Sequence, residues 1–192
     1  MRPLGSNPGS VVLRITYLRI ALVPVVMALV LAGNRVRYAF VLAAVVFAVA
    51  AVTDFLDGYL ARRWGHATTL GSFLDTTADK LLSSGALIAL VAVGRASSWI
   101  AFIIIGRELV ILGLRGLVAT SGMVMKPSIW GKLKASVQFL AIFLAMLRPF
   151  SPLGPLYLDQ WVMLAAAALT VISGVEYLAR FSSVLTKRTA SR

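Results

Sequence analysis

The chain lacks cysteine altogether, has a single histidine, His66, and carries only seven acidic residues among 192. Without thiols there are no disulfides, iron–sulfur clusters, thiolate zinc sites or cysteine nucleophiles. Charged residues make up 14% of the sequence, against about 25% in an average soluble domain, while 59% is hydrophobic and the mean hydropathy is +0.89. A composition this apolar asks for a surrounding solvent that is itself apolar. Acid is scarce but base is not: nineteen Lys and Arg give a net charge of +12. On a soluble protein such a surplus would suggest nucleic acid, but no basic patch interleaved with aromatics and no nucleic-acid-binding module occurs. The basic residues instead fall between apolar runs, the pattern expected of membrane topology and anionic headgroups.

Six apolar runs stand out, at 16–33, 38–56, 73–94, 98–119, 129–147 and 157–179. Each approaches the roughly 20 residues a helix needs to cross a hydrocarbon core, and helices are required because lipid satisfies no backbone polar group. The expected fold is therefore an all-α polytopic membrane protein with six transmembrane helices in a single domain covering 1–192. Residues 1–12, rich in Gly, Pro and Ser, read as a loose or interfacial lead-in, and 183–192 as a polar, frayed tail. A retained first span is preferred to a cleaved signal peptide, because five more spans follow. With the N-terminus inside, fifteen of the nineteen basic residues face the cytoplasm, and Arg35, Arg37, Arg95 and Arg148 lie outside. That bias puts both termini and the connection between the second and third spans on the cytoplasmic side.

Four of the seven acids crowd into "DFLDGYLARRWGHATTLGSFLDTTAD", residues 54–79. Asp54 and Asp57 lie three apart at the end of the second span, and Asp75 and Asp79 four apart at the start of the third. Both spacings put a pair on one helix face. Packed together, the two helices would bring four mutually repelling carboxylates to one place at the membrane surface. Three things would compensate: protonation, pairing with Arg62, Arg63 and Lys80, or divalent metal, for which an all-oxygen site favours Mg²⁺ or Mn²⁺. Gly58 and Gly71 allow close approach to the backbone. Arg62 offers a fork to phosphate, and Thr68 and Thr69 add hydroxyls. A proton relay needs none of these, so metal with diphosphate fits the stretch best.

The same stretch matches D-x-x-D-G-x-x-A-R-x8-G-x3-D-x3-D at Asp54, Asp57, Gly58, Ala61, Arg62, Gly71, Asp75 and Asp79. In this it resembles the CDP-alcohol phosphatidyltransferase family. The resemblance implies a six-helix enzyme of a bacterial inner membrane, usually a homodimer, with its site at the cytoplasmic face. It also implies transfer of a phosphatidyl group from CDP-diacylglycerol to an alcohol, with release of CMP and two Mg²⁺ or Mn²⁺ ions per site. By position, Asp54, Asp57, Asp75 and Asp79 would be metal ligands, and Asp79 also the base that deprotonates the acceptor. Gly58, Arg62, Thr68 and Gly71 would contact the cytidine diphosphate, joined by Tyr17 and Arg19 from the first helix.

Evidence on the acceptor lies further along, in "IGRELVILGLRGLVATSG" and "GKLKASVQFLAI", residues 105–122 and 131–142. Glu108 sits in an apolar run and wants a partner, for which Arg115, seven residues on, is available. With Arg107, Lys132 and Lys134 these residues suggest a pocket for an acceptor that carries phosphate. R-E-x5-L-R followed by G-K-x-K, with "LRIALVP" and "ADK", resembles the branch of the family whose acceptor is glycerol 3-phosphate. Two features depart from it: Thr76 and Thr77 stand where Pro and an apolar residue are common, and Ala135 where Thr is usual. A branch that accepts inositol phosphate is the closest alternative. A cation or proton transporter is the alternative of another class, but it would spread acidic residues through the depth of several spans. His66 reads as a surface or headgroup contact, Pro24 as a kink, and Trp99, Trp130 and Trp161 as interfacial aromatics.

Overall fold

The protein's structure is a computed structural model that describes the backbone of residues 8–64, 69–120 and 128–189, with side chains for 16–53, 74–118 and 128–182. Six helices follow one another: α1 (Pro8–Ala32), α2 (Ala39–Trp64), α3 (Thr69–Ala92), α4 (Ser98–Thr120), α5 (Ile129–Leu147) and α6 (Leu158–Thr189). No strand occurs among the described residues, where the only extended pairing is an isolated bridge between Leu153 and Leu156.

The helix cores coincide with the six apolar runs, but several ends do not. α1 starts at Pro8, inside the expected lead-in, with proline at a first position where its missing N–H costs nothing. It also continues through Pro24. α2 carries on through the acidic motif to Trp64, α3 begins at Thr69, and α6 runs on to Thr189 rather than fraying at 183. A helix ends where its backbone is capped or broken, not where its side chains turn polar. The caps that can be described are explicit. Arg95 N donates to Leu90 O at 2.8 Å after Gly94, which takes the left-handed φ of +71° that glycine tolerates. Ser128 Oγ accepts from Trp130 N at the start of α5, and left-handed Arg148 closes its end on Leu144 O at 2.7 Å.

The chain forms two compact units, Met1–Arg95 and Ala96–Arg192. In the first, α1 packs against both α2 and α3, burying Val26, Val30, Phe47, Leu82, Leu87 and Leu90. Close approach of α1 and α3 depends on Gly85, where a Cβ would sit 2.8 Å from Val23 Cγ1. In the second unit, α6 packs against α5 and α4, and Ile104, Ile111, Ile142, Met146, Met163 and Tyr177 are buried.

The outward faces are also apolar: Leu18 and Val25 on α1, Val45 and Val49 on α2, Leu109 and Leu117 on α4, and Val171 and Val175 on α6 are all exposed. Soluble monomers rarely expose so much continuous apolar surface, and such an exterior suits lipid. Among the described residues two helices, Ile129–Leu147 and Leu158–Ser182, are long and apolar enough to cross a membrane. α3 and α4 fall short because Asp75, Asp79 and Lys80, and Arg107, Glu108 and Arg115, interrupt their apolar runs.

Gly85→Leu should lower the melting temperature of the detergent-solubilised protein, by overpacking that costs about 1–3 kcal/mol. Gly113→Ala, whose Cβ would meet nothing within 4 Å, should leave it unchanged or slightly raised. Thermal unfolding followed by circular dichroism distinguishes the two.

Candidate functional site

In the first unit, Asp75 and Asp79 lie one turn apart on α3. Asp75 Oδ1 accepts from Arg19 Nη1 of α1 at 2.8 Å; Arg19 is 2% exposed and Asp75 32%. A guanidinium buried beneath a half-exposed carboxylate holds that carboxylate in one orientation. The contact is made through Oδ1 of Asp75. Two residues away on α1, Tyr17 is exposed, because a separation of two turns a side chain to a different face. Arg19 thus meets Asp75, while Tyr17 lies on a more exposed face of α1. The side chains of Asp54, Asp57, Gly58, Arg62 and Gly71, and all of Thr68, lie outside the described residues. No group of three or more potential metal ligands occurs among the described residues. The two carboxylates that are described are hard oxygen donors of the kind Mg²⁺ and Mn²⁺ take.

The second unit concentrates positive charge around one buried carboxylate. Glu108 Oε1 on α4 accepts from Lys134 Nζ on α5, and from Arg107 Nη1 at 3.1 Å. Glu108 and Lys134 are nearly inaccessible and Arg107 is 15% exposed. The stem of Arg107 lies over α6 at Gly174, where a Cβ would come 3.4 Å from its Cγ. Arg115 does not pair with Glu108, contrary to the expectation from spacing. Seven residues advance a helix by about 10 Å, so Lys134 from the next helix reaches Glu108 instead. Arg115 donates from Nε to Tyr177 Oη on α6 at 2.9 Å, and its guanidinium lies 5.4 Å from that ring's centroid. Lys132 is exposed.

The other described carboxylates of this unit have partners of their own. Glu176 accepts from Ser128 Oγ and from Arg180, and Asp159 accepts from Arg148 at 3.1 Å. Of the four basic residues singled out, Arg107 and Lys134 meet at Glu108, Arg115 bonds Tyr177, and Lys132 is exposed. The surplus is cationic and partly desolvated, which suits an anion better than a metal. Ser128, Gln138, Glu176 and Tyr177 were not singled out by the sequence reading. A glutamate and a glutamine inside apolar runs were the available sign.

The family model for CDP-alcohol phosphatidyltransferase matches residues 13–172, and the chain belongs to that family. A Mycobacterium tuberculosis protein named probable phosphatidylglycerophosphate synthase is 45% identical over 169 residues, covering 86% of this chain and 78% of the relative. The CDP-diacylglycerol–glycerol-3-phosphate 3-phosphatidyltransferase of Bacillus subtilis is 38% identical over 181 residues, covering 87% and 92%. The protein of that name from Pseudomonas fluorescens is 36% identical over 170 residues, covering 85% and 86%.

Removing one member of a buried ion pair strands the other, at a cost of about 3–5 kcal/mol, whereas replacing both is often close to neutral. Glu108→Leu should therefore destabilise the protein strongly, and Glu108→Leu combined with Lys134→Met should recover part of the loss. A double-mutant cycle on thermal or denaturant unfolding in detergent measures the coupling.

Proposed function

We propose that this protein transfers the phosphatidyl group of CDP-diacylglycerol to glycerol 3-phosphate, forming phosphatidylglycerophosphate and CMP, as a six-helix enzyme of a bacterial inner membrane. The observation that carries the reading is the complete acidic motif in a chain that aligns over most of its length with relatives named for this reaction. The buried Arg107–Glu108–Lys134 cluster supports an acceptor that bears phosphate.

The reaction is a displacement at phosphorus, with an acceptor hydroxyl attacking and CMP leaving. Asp79 takes the proton from that hydroxyl as the new P–O bond forms, a role worth about 10²–10⁴-fold in rate. Asp54, Asp57, Asp75 and Asp79 would hold two divalent cations, Mg²⁺ or Mn²⁺, which supply charge neutralisation on the attacking and leaving oxygens. Arg19, bonded to Asp75, fixes the direction of one ligand and adds positive charge near the diphosphate. Gly58, Arg62, Thr68 and Gly71 contact the cytidine diphosphate, with Tyr17 alongside on α1.

Arg107 and Lys134 bind the acceptor phosphate, which holds the attacking oxygen in place. Lys132 and Arg115 extend the positive field at its approach. The diacyl chains stay in the bilayer beside the exposed apolar helix faces. The chain acts as a single membrane domain, with both termini cytoplasmic and two copies forming a homodimer.

Purified protein given CDP-diacylglycerol should release CMP with glycerol 3-phosphate, and much less with inositol phosphate, serine or phosphatidylglycerol. A preference for inositol phosphate would reassign the acceptor. Asp79→Asn should cut turnover at least about 100-fold while leaving the melting temperature and most CDP-diacylglycerol binding intact. Excess EDTA should stop the reaction, with added Mg²⁺ or Mn²⁺ restoring it.

A further inference from the structure

Buried polar atoms in a protein of this composition carry a cost unless something bonds them. Two such atoms lie by the cationic cluster of the second unit. Gln138 on α5 is 3% exposed, and its Oε1 is buried with no hydrogen-bond partner. Arg107 Nε on α4 is likewise buried with no partner, although its Nη1 bonds Glu108. Gln138 is one turn beyond Lys134 on the same buried face of α5, about 5–6 Å away between Cβ atoms. Arg107 and Lys134 converge on the same oxygen of Glu108. An unfilled donor and an unfilled acceptor therefore flank one ion-paired cluster.

Helix packing alone gives no reason for an amide here. An apolar side chain of the same size would fill the space without an orphaned oxygen. A polar molecule that brings both an anion and a neutral hydrogen-bonding group would satisfy both atoms at once. The amide serves in either orientation, since its oxygen accepts and its nitrogen donates.

We propose that Gln138 is the specificity residue for the acceptor alcohol, bonding the hydroxyl next to the phosphate-bearing carbon while Arg107 and Lys134 hold the phosphate. This rests on the phosphatidyl-transfer reading and deepens it. In glycerol 3-phosphate that hydroxyl is the one on C2, and the C1 hydroxyl is the nucleophile. The three-carbon phosphoalcohol lacking the C2 hydroxyl would still offer phosphate and nucleophile but leave the Gln138 amide unbonded. Sites built to bond a hydroxyl discriminate strongly against analogues without it.

The test compares kcat/KM for glycerol 3-phosphate and for the monophosphate of propane-1,3-diol, with full-length protein in mixed micelles containing CDP-diacylglycerol. Wild type should prefer glycerol 3-phosphate by about 10–100-fold, the range of one buried hydrogen bond. Gln138→Met, close in volume but apolar, should lose that preference by lowering kcat/KM for glycerol 3-phosphate alone, with the KM for CDP-diacylglycerol unchanged. Gln138→Asn, which keeps the amide one methylene shorter, should recover part of it. A Gln138→Met protein that keeps the full preference, or shows only a lower melting temperature, overturns the role of Gln138 and leaves phosphatidyl transfer standing. Wild-type protein that releases no CMP with glycerol 3-phosphate overturns both.

Discussion

Ion pairing between helices is the interaction on which the rest of this structure depends. Apolar contacts in a chain of this composition are plentiful and interchangeable, so they fix neither rotation nor register uniquely. Charges do, because an unmatched charge in an apolar setting costs far more than a misplaced methyl group. Arg19 to Asp75 ties α1 to α3, Lys134 to Glu108 ties α5 to α4, and Arg148 to Asp159 ties the end of α5 to the start of α6. Two hydrogen bonds follow the same logic: Arg115 to Tyr177 joins α4 to α6, and Ser128 to Glu176 joins α5 to α6. Several side chains proposed for function are thus among the groups that set the packing.

How much of this could be read from the sequence depended on whether the interaction was local. The six helices were legible because an apolar run of a given length has one economical structure in lipid. Their ends were less so: α2 runs through the acidic motif to Trp64 and α6 through a polar tail to Thr189. Nothing in those segments breaks the backbone hydrogen-bond ladder. The pair Asp75 and Asp79 was legible as one face of one helix. The partner of Glu108 was not, since spacing along α4 points to Arg115 and only the tertiary packing reveals Lys134. The bond from Arg19 to Asp75 illustrates the same limit, since 56 residues separate the two in sequence.

The division of charge between the two units follows the chemistry proposed for them. The first carries carboxylates suited to hard cations, and the second a cationic surplus suited to a phosphate. In the proposed reaction, an exposed basic residue such as Lys132 would act mainly on encounter, and a buried one such as Lys134 on the bound state.

Arg19 is the apparent exception, a buried cation of the first unit bonded to the carboxylate of Asp75. Its Nη1 donates to Oδ1 of Asp75. A carboxylate with one oxygen fixed by a guanidinium has lost much of its freedom to rotate, so a cation binding the other oxygen orders less on arrival. The same guanidinium lowers the repulsion between Asp75 and its acidic neighbours while no cation is bound. It also reduces the attraction for a cation once one arrives. These effects oppose each other in affinity but agree in geometry. In the proposed reaction the site would bind, align and release a diphosphate in every turnover, and it would gain more from alignment than from tightness, because binding ligands equally in ground and transition states adds nothing to the rate.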